Sequence, residues 1–92
     1  MINVGTYVKI LLKKRNLTQM DLIRKMNEMD LGNGVQLYKQ HLNNAINGDM
    51  SFLWARRIEI VLNLPKYSLV KMVGNPTELQ WKKIMGVGDK YV

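Results

Sequence analysis

Cysteine is absent from this 92-residue chain, which excludes disulfides, thiolate metal sites and cysteine nucleophiles and suits a reducing cytoplasm, the expected location. Acid is scarce: 7 Asp+Glu stand against 14 Lys+Arg, for a formal charge of +7. A balance this basic attracts polyanions such as nucleic acid or an anionic membrane surface, and charge alone does not choose between them. No apolar run approaches the ~18 residues of a membrane span. The start, Met1-Ile2-Asn3-Val4-Gly5, lacks the charged and apolar regions of a signal peptide. The expectation is a soluble intracellular protein with no membrane partner. The single histidine, His41, has no partners for a metal site and reads as a surface residue, so no metal and no cofactor are expected. Phosphate-cradling glycine loops are also missing, and Ser51 and Ser68 both read as helix-start residues. Without a nucleophile–base pair or a cofactor site, the chain is not expected to be an enzyme.

What is present is helical periodicity. Val4, Val8, Leu11 and Leu12 fall at i, i+4, i+7 and i+8, one face of a helix from Val4 to Asn16. Thr18, with Asp21 three residues on, caps a second helix to about Asp30, whose stripe is Leu22, Ile23, Met26 and Met29. Asp30-Leu31-Gly32-Asn33-Gly34 lacks the spaced carboxylates of a calcium loop and reads as a turn, or as the tip of a very short hairpin. A third helix spans Leu37 to Asn47, with Leu37 or Tyr38, then Leu42, Ala45 and Ile46 inward. Its other side is polar, and Gly48 stands where a left-handed cap would end it. Ser51 caps a fourth helix, Phe52 to Asn63, burying Phe52, Ala55, Ile58, Val61 and Leu62. A fifth runs from Tyr67 to Val73. Asn75-Pro76 reads as a cap and first-turn proline for a sixth, Thr77 to Met85, and Gly86 to Val92 as a loose tail. The methionines, Met20, Met26, Met29 and Met72 among them, read as core filler. Arg56-Arg57 reads as a solvated pair that, with Arg24 and Lys25, offers general phosphate attraction.

Three stretches together carry a family resemblance. They are Val4-x3-Val8-x2-Leu11, then Asn16-Leu17-Thr18-Gln19 with Leu22-x3-Met26, then Leu42 to Gly48 followed by an apolar helix ending Leu62-Asn63-Leu64. From Val4 to Val73 the chain resembles the Xre/Cro helix-turn-helix family of phage repressors. The resemblance implies an all-α, five- to six-helix lambda repressor-like domain over residues 1–74, whose third helix enters the major groove. It departs from the family's tight turn between helices two and three by an insertion around residues 27–36, either an extension of the second helix or a separate loop.

By that resemblance Lys39, Gln40 and Asn44 occupy base-reading places, and Gln19 and Asn47 phosphate-contacting ones. Thr18, His41 and Asn43 flank them, and Tyr38 either packs inward or touches a phosphate. The chemistry agrees, since Gln and Asn amides pair bidentately with adenine and Lys reaches the acceptors of guanine. No acid lies between Val35 and Gly48 to repel phosphate. The implied function is sequence-specific regulation of transcription, typically phage or mobile-element repression by occupying an operator. Such proteins bind double-stranded DNA as homodimers. Leu79, Trp81, Ile84 and Met85, within residues 75–92, are the candidate dimer surface, unless Trp81 packs onto its own domain. The alternative class is a helix-turn-helix fold reused to bind a protein partner, such as a small phage inhibitor of a host protein.

Overall fold

The computed structural model describes residues 3–88. Six helices and no strand occur among them: α1 Val4–Lys14, α2 Gln19–Glu28, α3 Lys39–Asn47, α4 Phe52–Leu62, α5 Ser68–Val73 and α6 Glu78–Met85. None is long and apolar enough to cross a membrane.

Four of the six helix starts, those of α1, α2, α4 and α6, are set by short polar side chains. Asn3 accepts from the Thr6 N–H at 2.8 Å and Ser51 from the Trp54 N–H at 3.2 Å, each satisfying a donor the helix leaves open. Thr18–Asp21 and Thr77–Gln80 each form a complete capping box. The cap of α6 is therefore Thr77, not Asn75-Pro76 as expected, because only Thr77 has Gln80 three residues ahead to return the bond. Asp21 has its carboxyl held below the usual carboxylate range, by the Thr18 backbone N–H first and by the Thr18 side chain next. A depressed folded value stabilises above the unfolded value and is lost as pH falls through the folded one. Helicity should thus soften at the acid end of a pH series, and Asp21→Asn should flatten that limb in circular dichroism; an unchanged limb would rule the box out as its source.

Three helix ends share one device. Asn16, Asp30 and Asn63 take left-handed φ of 56°, 53° and 55°. The N–H of the following leucine then reaches back five residues: Leu17 to the Leu12 carbonyl, Leu31 to Met26 and Leu64 to Glu59. This is the Schellman closure, and Asn and Asp tolerate the left-handed region better than other non-glycine residues. Gly48 does not close α3 in this way. Its φ of −131° and ψ of −137° lie outside the left-handed region, and two residues on Met50 is buried in the core.

The core draws on every helix, from Val8 and Leu12 of α1 through Leu22 and Met26 of α2 to Leu69 and Val70 of α5 and Ile84 of α6. Helix α4 touches α2, α5 and α6, while α3 rests on α1 and α2. Several expectations change here. Met20 and Met72 are 42% and 45% exposed, so neither fills the core. Val87 is buried in the same core, so residues 86–88 are not loose, and the rest of the expected tail lies outside the described residues. Arg56 is no solvated residue. It is buried beside Glu59, with Nη1 3.0 Å from Oε1, and its guanidinium lies over the Tyr67 ring at 4.8 Å.

Candidate nucleic-acid interface

Helix α3 has two chemically distinct sides. Leu42, Ala45 and Ile46, at i, i+3 and i+4, are buried against α1 and α2. Lys39, Gln40, His41, Asn43, Asn44 and Asn47 are exposed. Among the described residues no hydrogen bond engages the side chains of Lys39, Gln40 or Asn44, so their donors and acceptors face solvent uncommitted. Gln40, Asn44 and Asn47, at i, i+4 and i+7, run along one line of the helix.

The flanking residues behave differently. Asn43 Oδ1 accepts from Asn47 Nδ2 at 2.9 Å and from Gln19 Nε2 at 3.3 Å. Asn47 Nδ2 also donates to the Asn43 carbonyl. Gln19, Asn43 and Asn47 thus form a polar bridge from the start of α2 to α3. Gln19, expected to hold a phosphate, has its amide donor on Asn43 and its Oε1 buried without a partner. Thr18 accepts from the Asp21 N–H as a cap. Tyr38 is 57% exposed and edge-on to His41 at 6.1 Å, while Leu37 is the buried member of that pair. Tyr38 provides no side-chain cap and α3 has no acid in its first turn, so the exposed N-terminal N–H groups favour an anion.

The insertion is a separate loop, since α2 stops at Glu28. It is held at both ends. Leu31 and Leu37 are buried, each worth about 1.5–3 kcal/mol relative to exposure. Asn27 accepts from the Leu37 N–H at 2.9 Å and donates to the Leu37 carbonyl at 3.0 Å. Asp30 Oδ1 accepts from the Gly34 N–H at 2.8 Å, an exposed bond that closes the turn. From α4, Arg57 Nε donates to the Leu31 carbonyl at 3.2 Å while its guanidinium lies over Trp54 at 4.8 Å. Arg57 is therefore a strut between α4 and the loop, not the solvated residue expected, and burial draws its basicity down. Nothing in the spacing of Asn27 and Arg57 announces these roles, because both bind backbone carbonyls distant in sequence.

The exposed charge is of both signs. Lys9, Lys13 and Lys14 of α1 and Arg24 and Lys25 of α2 are exposed. Asp49 follows α3 in a shallow cleft with His41, Asn44, Ser51 and Trp54. At the far end of the chain, Leu79 and Met85 are 65% and 55% exposed. Ile84 lies in the core and leaves the candidate dimer surface. Trp81 meets Tyr67 edge-on at 5.0 Å, within its own domain. No family model, curated protein or solved structure matches the chain.

Proposed function

We propose that the protein is a sequence-specific DNA-binding regulator of the Xre/Cro helix-turn-helix type, acting on double-stranded DNA through α3. The observation that carries this reading is the division of α3: three apolar residues seated on α1 and α2, and an exposed, acid-free face with Lys39, Gln40 and Asn44 uncommitted. A groove-reading helix needs that combination of a fixed back and amide or ammonium groups toward the base edges. The Gln19–Asn43 bond adds rigidity between α2 and α3. Action is by occupancy, with no bond made or broken, as for a phage or mobile-element repressor in the cytoplasm. Leu79 and Met85 are the apolar residues left to pair two copies on two half-sites.

The test is binding to an operator selected from a random duplex pool and to a scrambled duplex, across a salt series. A regulator keeps a large ratio between the two, while nonspecific attraction falls for both together. Gln40→Ala and Asn44→Ala should each relax preference at one base pair by ~1–3 kcal/mol. Gln19→Ala, which removes the bond from α2 to Asn43, should instead lower preference at the α3 positions together by loosening α3. Intact preference in both α3 variants would overturn the assignment of α3, and no DNA affinity at low salt would favour a protein partner instead.

A further inference from the structure

We infer that the loop between α2 and α3 is a second reading element, with Gln36 and Val35 extending the base-contacting face beyond the N-terminus of α3. The inference rests on the DNA-binding reading above. It assigns the loop to the same DNA duplex that α3 would enter.

Residues 36–38 carry the geometry. They are not helical, Tyr38 is extended at φ −124° and ψ 148°, and burial alternates: Gln36 exposed, Leu37 buried, Tyr38 exposed. Alternation in extended chain puts Gln36 and Tyr38 on one side, outward, while Leu37 points into the core. Val35 is 67% exposed, the highest of the large apolar residues, and directly precedes this segment. Val35 sits at the bend before this segment, so from Val35 to Gln40 every residue but Leu37 is exposed.

This stretch is also rigid and free of acid. An exposed surface loop is ordinarily mobile, but this one has Leu31 and Leu37 in the core, Asn27 on both backbone groups of Leu37, and Arg57 on the Leu31 carbonyl. Gly32 packs so closely that a Cβ there would stand 2.1 Å from the Val35 carbonyl oxygen, fixing the turn that delivers Val35. No Asp or Glu occurs between Asp30 and Asp49, and Asp30 itself is bonded into the loop. An exposed valine suits the thymine methyl group, and a glutamine amide suits adenine or a phosphate. Asn27 is the positioning residue, since it sets the backbone of Leu37, two residues before α3 begins.

Chain reach limits where the contact falls. Lys39 is three chain steps from Gln36, at most ~11 Å, and base pairs are ~3.4 Å apart. The added position should lie within about three base pairs of the one nearest Lys39.

The experiment substitutes every base pair of the selected operator in turn and measures binding of the full chain and of Gln36→Ala, Val35→Ser, Gln40→Ala and Asn27→Ala. Gln36 and Val35 are exposed, so their variants should melt as the parent does. We expect each to lose roughly tenfold preference at a base pair outside those changed by Gln40→Ala and on the side of the N-terminus of α3. Profiles of Gln36→Ala and Val35→Ser that superimpose on the parent's, while Gln40→Ala changes its own position, would overturn the loop inference and leave the α3 reading standing. A parent chain with no preference at any base pair would overturn both. Asn27→Ala should flatten the loop position and the α3 positions together. A uniform loss on all duplexes with the profile unchanged would remove Asn27 from the positioning role.

Discussion

Glu59→Ala should destabilise the protein by about 3–5 kcal/mol, the range for removing one partner of a buried ion pair. Three groups depend on this carboxylate. Oε1 accepts from Arg56 Nη1 at 3.0 Å and from the Tyr67 N–H at 2.9 Å, and Oε2 from the Val70 N–H at 2.8 Å. Helix α5 has no cap of its own, because Tyr67 at its start provides no side-chain bond and sits at φ 65°. Glu59 is thus the N-terminal acceptor for α5, delivered from α4. Alanine leaves a buried guanidinium unpaired and two buried N–H groups open, each of which carries a desolvation cost. At 4–8 °C per kcal/mol for a domain of this size, the melting temperature should fall by more than ~12 °C. Glu59→Gln should recover little, since its NH2 would face donors. Replacing Arg56 and Glu59 together by methionine often rescues a simple buried pair. Here it should not, because the Tyr67 and Val70 amides would stay open. A drop of only a few degrees in a thermal melt would mean that water or another group reaches them.

That network marks where sequence reasoning ran out. The helices and their order were legible, because apolar spacing such as Val8–Leu12 and Leu42–Ala45–Ile46 encodes period and face directly. The stops were partly legible. Asn16-Leu17, Asp30-Leu31 and Asn63-Leu64 form a repeated signal, a left-handed residue followed by a leucine, yet the glycines of the 32–34 turn attract attention first. Arg56 was not legible, because its burial depends on Tyr67 and α5 arriving above an i, i+3 pair. Within the candidate site, the exposed face of α3 follows from helix period. The Gln19–Asn43 bridge and the Asn27–Leu37 clamp do not, since each joins a side chain to a group set by tertiary folding. Ile84 shows the same limit. An apolar residue on a terminal helix suits a partner or its own core equally well until the helix is docked.

Gly5→Ala should lower stability and, on the proposed DNA-binding function, blur base preference with it. In isolation the change favours folding, since alanine is better than glycine inside a helix by about 1 kcal/mol. The surroundings reverse that sign. A Cβ at position 5 would stand 1.9 Å from the Ile46 carbonyl oxygen and 2.9 Å from its carbon, against a comfortable separation of ~3.5 Å or more. The obstacle is α3 backbone, so no rotamer change relieves it, and α1 and α3 must separate by more than about 1 Å. Overpacking of this kind costs typically ~1–3 kcal/mol, and a backbone obstacle belongs at the upper end, outweighing the propensity gain. The same displacement moves Ile46 and with it the face carrying Gln40 and Asn44, and a loosening of about 1 Å degrades a binding constellation. Below its melting temperature, Gly5→Ala should therefore discriminate selected from scrambled duplex less well than the parent. Thr6→Ala serves as the neighbouring exposed control, with preference unchanged. Should Gly5→Ala melt at or above the parent, the close approach of α1 to α3 does not hold in solution, and the rigid seating of α3 falls with it.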